Sequence, residues 1–450
     1  MITGKENFCL RLIVRRLWEG MVISMRIRKL FFAVAAAVML VGCGGGKQEE
    51  NATPTPVDMK DQETDITGDV TPEITPEATK EPTKAPEPTK APAADNFLDL
   101  YKDDFYMGIA LNPSDFNNWE EIKDTITANF NSFTCENEMK PDAILRQKES
   151  QDGLADGSTY KEPVVDFSRS NAAVLRALEN DIKIRLHTLV WHAQTPRWFF
   201  TEDYTDEGEY VSREVMLARM ESYIRQVLTY FDTEYPGLIY AVDVVNEAFN
   251  GMPSDTNPNG VLEPNDVEPN YWYDLLGEDY IYYAFYYARQ YAPDYMKLFY
   301  NDYNTTFKAD RIIDGLQKVK EEGLIDGIGM QSHVSITDVL DLTLIPTVRK
   351  FCQAGYEVQI TEFDLGIGQE ATEENLEKQA RKLKSLMLGL QKLVNNGLNF
   401  TSMTFWGYTD RPASGGWRAG EHALLFDEEG NPKRAFYGVL QDESVLAIDF

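Results

Sequence analysis

Two glutamates stand directly after apolar, β-branched runs. Glu247 closes Asp243-Val244-Val245-Asn246, and Glu362 closes Val358-Gln359-Ile360-Thr361. A carboxylate in such a place is costly unless it is paired or put to use. Two carboxyls facing one cleft are the minimal equipment for hydrolysing a glycosidic bond. One must stay protonated to donate to the leaving oxygen, and the other must be ionised to attack the anomeric carbon. Different surroundings drive their two pKa values apart. A separation of about 5 to 5.5 Å would mean a covalent, retaining mechanism, a gap that sequence does not measure. A lone carboxylate at a strand end is more often half of a structural ion pair. Here polar residues recur at seven apolar run ends: Glu136 to Lys140, His187 to Gln194, Asp243 to Glu247, Tyr300 to Asn304, Gln331-Ser332-His333, Thr361 to Asp364, and Thr404 to Gly407. Trp191, Trp406 and Trp417 fall at strand ends or in loops, where indole faces can stack on the apolar faces of sugars.

Other chemistries find little support. His187 and His192 lie five apart on one expected strand and so should point to opposite faces. There is no His-Glu-x-x-His or Cys-x-x-Cys metal motif. Gly-x-Ser-x-Gly is absent, as is a glycine-rich phosphate loop between strand and helix. No metal or other cofactor is expected. With 43 basic and 73 acidic residues, a net charge of -30 argues against nucleic acid as a partner. Four cysteines in 450 residues do not make a disulfide scaffold; Cys135 and Cys352 read as free buried thiols.

The elements that must hold these residues follow from periodicity. Short apolar runs alternate with longer amphipathic stretches, the pattern of repeated βα units. Strands are expected at residues 107–111, 131–135, 182–191, 239–246, 297–301, 328–331, 358–362 and 403–406. Helices are expected at 213–230, 280–291, 306–322 and 374–395. Eight such units in residues 96–450 fit one α/β domain, a (β/α)8 TIM barrel, whose chemistry sits at the C-terminal ends of the strands. An open doubly wound sheet or two smaller domains are the alternatives; no internal polar linker favours the latter.

The first 95 residues read as delivery and tether. Arg26, Arg28 and Lys29 precede the apolar run Leu30 to Gly42, the form of a signal peptide over residues 1–42, with Met25 as a plausible true start. Leu40-Val41-Gly42-Cys43 resembles a bacterial lipobox, making Cys43 the expected lipidation site. Residues 43–95 are rich in Pro, Thr and Glu and repeat Glu-Pro-Thr-Lys-Ala-Pro at 81–86 and 87–92. Composition of this kind predicts an unfolded, extended linker. The expected product is exported and anchored at the cell surface by lipid alone, or secreted if the anchor is unused.

Six of these segments, taken in order, resemble glycoside hydrolase family 10: Cys135 to Lys140, His187 to Pro196, Asp243 to Glu247, Gln331 to His333, Thr361 to Asp364, and Thr404 to Trp406. The resemblance spans residues 97–450. It implies a retaining endo-β-1,4-xylanase acting on xylan and xylo-oligosaccharides, and the chain is expected to be monomeric. It implies Glu362 as nucleophile, Glu247 as acid/base, Asn246 as the partner of the sugar 2-hydroxyl, and His333 orienting Glu362 with Asp364 behind it. Glu136, Asn137, Lys140, His187, Trp191 and Gln194 would line the glycone subsites with Gln331 nearby. Trp406 and Trp417 would be floor and lid, and Tyr303 an aglycone platform. The segment from Leu145 to Asp166 and the loop from Arg411 to Trp417 are longer than the family's usual connections, and both are expected on the cleft side. A cellulase-like glycanase on the same barrel, or a non-catalytic xylan-capturing lipoprotein, are the other readings.

Overall fold

The computed structural model describes residues 94–154, 162–251, 260–261, 269–368 and 370–442. The leader, Met25, Cys43 and the repeat-bearing linker expected from sequence lie outside the described residues.

Eight parallel strands form the core: β1 (Tyr106–Leu111), β2 (Ser132–Cys135), β3 (Lys183–Leu186), β4 (Ile239–Asn246), β5 (Lys297–Asp302), β6 (Gly327–Met330), β7 (Glu357–Gly366) and β8 (Phe400–Phe405). Each pairs with the next, and β8 pairs with both β7 and β1, through Phe405 opposite Phe363 and Gly108 opposite Thr404. The sheet therefore closes into a ring, as expected for a (β/α)8 barrel. Each strand is followed by a helix: α1 (Trp119–Asn129), α2 (Asn171–Asn180), α3 (Arg213–Glu234), α4 (Asp279–Tyr291), α5 (Thr305–Gly315), α6 (Leu340–Gln353), α7 (Glu373–Asn395) and α8 (Arg434–Val439).

Local sequence explains the helix limits. Ser212 accepts from the Val215 N–H at the start of α3, and Thr372 from the Asn375 N–H at the start of α7, each satisfying an amide the helix itself cannot. Along α3, Met216, Met220, Tyr223, Val227 and Phe231 are buried, the spacing of three and four that turns one stripe inward.

Two expected elements are broken. The strand expected over 182–191 stops at Leu186 and resumes only at Val190–Trp191, which pairs with Val245 and Asn246. Between them Thr188 donates its hydroxyl, and Leu189 its amide, to the Asp243 carbonyl at 2.8 and 2.9 Å. Side chain and shifted amide thus replace regular ladder bonds, while the apolar run that suggested one strand is buried either way. The opposite-faces argument for His187 and His192 fails with it. The helix expected over 306–322 ends at Gly315 and restarts as Gln317–Glu321. Glycine weakens a helix by about 1 kcal/mol relative to alanine, and here a Cβ would enter the Phe249 ring.

Inside the barrel, below the strand ends, lies a buried polar layer. The Arg185 guanidinium pairs with the Asp243 carboxylate, both about 1% exposed, reaches Gln359 and lies over the Phe299 ring. Gly329 on β6 makes this possible: a Cβ there would crowd Asn301 and the guanidinium. Cys135 is buried and Cys352 half-buried, both free thiols.

Candidate active site

The strand ends converge on a cleft of about 560 Å³. Thirteen of the side chains singled out in the sequence line it: Glu136, Asn137, Lys140, His187, Trp191, Gln194, Glu247, Tyr303, Gln331, His333, Glu362, Trp406 and Trp417. Asn246 and Asp364 stand just behind the wall, 2% exposed each. Of the residues expected on the cleft side, the Arg411–Trp417 loop contributes both its ends. No described residue of 145–166 lines the cleft. Its described ends pair with each other instead: Leu145 bridges Val165, and the Arg146 amide donates to the Val164 carbonyl at 2.9 Å.

Glu247 follows β4 with φ +58°, its amide held by the Asn301 carbonyl at 2.9 Å. This turn lifts the side chain out of the strand and into the cleft. Its carboxyl accepts from Gln331 at 2.7 Å, Trp191 Nε1 at 3.1 Å and Asn246 Nδ2 at 3.1 Å. Burial pushes its pKa up to about 7, and the carboxylates of Asp302 and Glu362 add to the rise against the Gln331 and Trp191 hydrogen bonds.

Glu362 lies inside β7, 5% exposed. It accepts from Asn301 Nδ2 at 2.7 Å, and its other oxygen lies 3.3 Å from His333 Nε2. Burial alone would raise its pKa. The hydrogen bond and charge of His333, the His187 ring and the Asn301 amide outweigh burial and hold it at about 2. His333 is in turn gripped through Nδ1 by Asp364 at 2.7 Å. Burial works against its charge, yet Asp364 and Glu362 together raise it to about 9. At neutral pH one carboxyl can thus keep a proton while the other, facing an imidazolium, cannot.

The remaining wall is tied together by polar contacts. Lys140 donates to Asn137 and Gln194 at 3.1 and 3.0 Å and lies 5.1 Å from the Trp191 ring. His187 meets Asp243 through Nδ1 at 3.0 Å and the Trp406 ring edge to face at 5.5 Å. Tyr303 carries Lys308 over one ring face at 4.2 Å. Trp417 is 54% exposed, and its Nε1 donates to Asp364 at 2.9 Å. His192 is not in the wall, and burial lowers its pKa to about 4.

Three residues lie in segments that the sequence marked but were given no role there. Asn301 bridges the two carboxyl systems, donating to Glu362 and to Asn246 Oδ1 at 2.9 Å while Thr361 donates to it at 2.6 Å. Its signal was a polar side chain in an otherwise apolar strand. Asn304 and Arg411 line the cleft, and Arg411 pairs with Glu136; sequence placed them at a strand end and at the start of a cleft-side loop without giving either a role. Among the described residues no group of three or more His, Cys, Asp or Glu is arranged to hold a metal ion.

A closed (β/α)8 barrel with two oppositely tuned carboxyls at the strand ends is the arrangement that acid-assisted cleavage of a glycosidic bond requires. The family model for glycosyl hydrolase family 10 matches residues 96–442, and the chain belongs to that family. It is 38% identical over 357 residues to endo-1,4-beta-xylanase Y of Acetivibrio thermocellus, covering 76% of this chain and 32% of that protein. It is 33% identical to a beta-1,4-xylanase of Dictyoglomus thermophilum, covering 76% and 90%. Among solved structures, the endo-1,4-beta-D-xylanase 10B modules of Clostridium thermocellum, complexed with xylohexaose, superpose with a TM-score of 0.70 at 35% identity, covering 78% of this chain and 69% of that one. The chain spans about a third of the length of several curated relatives it matches.

Proposed function

We propose that this chain hydrolyses internal β-1,4-xylosidic bonds of xylan with retention of configuration. The observation that carries this reading is that Glu247 and Glu362 share one cleft in surroundings that push their pKa values in opposite directions. Glu362, kept ionised by His333, attacks the anomeric carbon as Glu247 gives its proton to the leaving oxygen. Glu247, now a base, takes a proton from water, whose oxygen displaces Glu362 and releases the sugar. Asn246 meets the 2-hydroxyl of the reacting sugar, a contact that strengthens at the transition state. Trp406 and Trp417 stack as floor and lid, Tyr303 takes the aglycone, and the polar wall from Glu136 to Gln194 takes the glycone. A lid fitted to xylose crowds the hydroxymethyl of glucose, which selects against cellulose.

The names of the relatives and the xylohexaose in one of them support xylan as the substrate. Reducing-sugar release from xylan, carboxymethylcellulose and mannan by one preparation tests it. Xylan should dominate, and preference for either other polymer refutes the assignment. We take the enzyme to act as a monomer, a reading that size-exclusion chromatography with light scattering tests. Export with lipid attachment at Cys43 is part of the same reading, supported by the basic, apolar and lipobox-like order of residues 26–43. Cys43→Ala should move the protein from the membrane to the soluble fraction of an expressing bacterium; unchanged membrane association would end that part.

A further inference from the structure

The lid loop is fastened to the support of the proposed nucleophile by two neighbouring residues. Trp417 Nε1 donates to Asp364 Oδ2, the oxygen that also receives His333 Nδ1. Arg418, with φ +53°, turns back beneath it. Its Nε lies 3.3 Å from the other Asp364 oxygen, and its Nη2 donates to the Val334 carbonyl at 2.8 Å and pairs with Glu421 at 2.9 Å. The Arg418 side chain is only 16% exposed. Gly366, closing β7, leaves the space for it, since a Cβ there would run into the guanidinium and the Glu421 carboxylate. The loop backbone returns to β7 and the residue after it, where Leu365 and Ile367 donate to the Ala423 and Glu421 carbonyls at 3.0 and 2.9 Å.

We infer that Arg418 is a positioning residue: it clamps the Trp417 lid onto Asp364 and tunes how firmly His333 and Glu362 hold their charges. This rests on the reading of Glu362 as nucleophile. Three carboxylates, Glu362, Asp364 and Glu421, meet two cations, His333 and Arg418, along one line. From other elements, His187 at the end of β3 acts on Glu362, Lys140 after β2 senses its charge, and Glu247 after β4 senses it in turn. None of these three pairs with Asp364, so among the described residues Arg418 and Glu421 are the adjustable charges on its far side. Removing the Arg418 cation leaves the imidazolium as Asp364's sole cationic partner in this line, and His333 then holds its proton more tightly. Removing the Glu421 anion does the reverse.

The test uses the intact chain and follows the His333 imidazole by NMR, assigned among the four histidines with His333→Asn. Arg418→Gln should raise the His333 titration by about half a pH unit or more, and Glu421→Gln should lower it by a few tenths. Arg418→Lys should return it to the wild-type position. In kinetics with xylohexaose, Arg418→Gln should raise KM several-fold through the loosened lid, with a smaller loss in kcat. A His333 titration that stays put in Arg418→Gln, or moves the same way in both charge variants, overturns the proposal. Should Arg418→Gln fail to fold, an unmoved or upward shift in Glu421→Gln overturns it equally. The titration needs no turnover, so it is separate from the nucleophile assignment, which fails only if Glu362→Gln retains activity.

Discussion

At the scale of single residues, the proposed activity rests on two carboxyls pushed toward opposite states. The proposed mechanism needs Glu247 protonated and Glu362 ionised, which fixes the sign of the pH dependence. As pH rises past about 7, Glu247 loses its proton and kcat/KM should fall about tenfold per pH unit. On the acid side Glu362 stays ionised until pH approaches about 2, so the activity should hold well below neutrality. A kcat/KM profile on a neutral xylo-oligosaccharide checks this, and a midpoint for the alkaline fall below pH 5 contradicts it. Glu362→Gln should abolish turnover while binding survives. Glu247→Ala should slow substrates with poor leaving groups most, with azide rescuing those with good ones; an equal loss without rescue counts against the acid/base role. Asn301, which donates to both Glu362 and Asn246, should matter although it is absent from the cleft wall. Asn301→Ala is expected to cost about tenfold to a hundredfold in kcat, measured with xylan and KM little changed.

At the scale of elements, the barrel carries a buried ion pair that serves the site above it. Arg185 on β3 and Asp243 on β4 neutralise each other, and the same Asp243 oxygen orients His187. Arg185→Met would leave Asp243 buried and unpaired, at a cost of about 3–5 kcal/mol in stability. Urea unfolding monitored by circular dichroism measures it, and a loss below about 1 kcal/mol would show that His187 alone suffices for Asp243. The strands were legible in sequence because each is an apolar run ending in polar residues, and those polar ends line the cleft. What sequence hid was any change of hydrogen bonding inside a continuous apolar pattern. The break after Leu186 is one such place, since Leu189 and Val190 are fully buried whether or not they sit in a ladder. The break at Gly315 is another, for Ile312, Leu316 and Val319 keep helical spacing across it. The roles of Asn301 and Arg411 were hidden because they depend on partners 61 and 275 residues away. The carboxyl pair was legible as a pair because each glutamate follows an apolar, β-branched run, although only Glu247 stands just past its strand and Glu362 lies within β7.

At the scale of the whole barrel, closure joins the two ends of its sequence. The short helix Phe97–Tyr101 packs where the last helix finishes: Phe97 meets the Phe436 ring at 4.7 Å, and the Tyr101 hydroxyl donates to the Val439 carbonyl at 2.6 Å. Phe105, next in the chain, lies edge to face on Phe400 at the start of β8, so this junction sits at the N-terminal ends of the strands, opposite the cleft. Loss of the junction should loosen β1 from β8, and Tyr101→Phe, which removes only the hydroxyl, should cost about 1 kcal/mol in thermal unfolding. A loss indistinguishable from zero would mean that the rings alone hold the ends. The same placement matters when the protein is grafted onto a solid support. Coupled to a bead through the chain ahead of Phe97, the barrel turns its catalytic mouth to the medium, and a polymer too large to enter the bead's pores can still be cut. Coupled through the Arg411 loop, the mouth faces the bead, and only short oligosaccharides reach it.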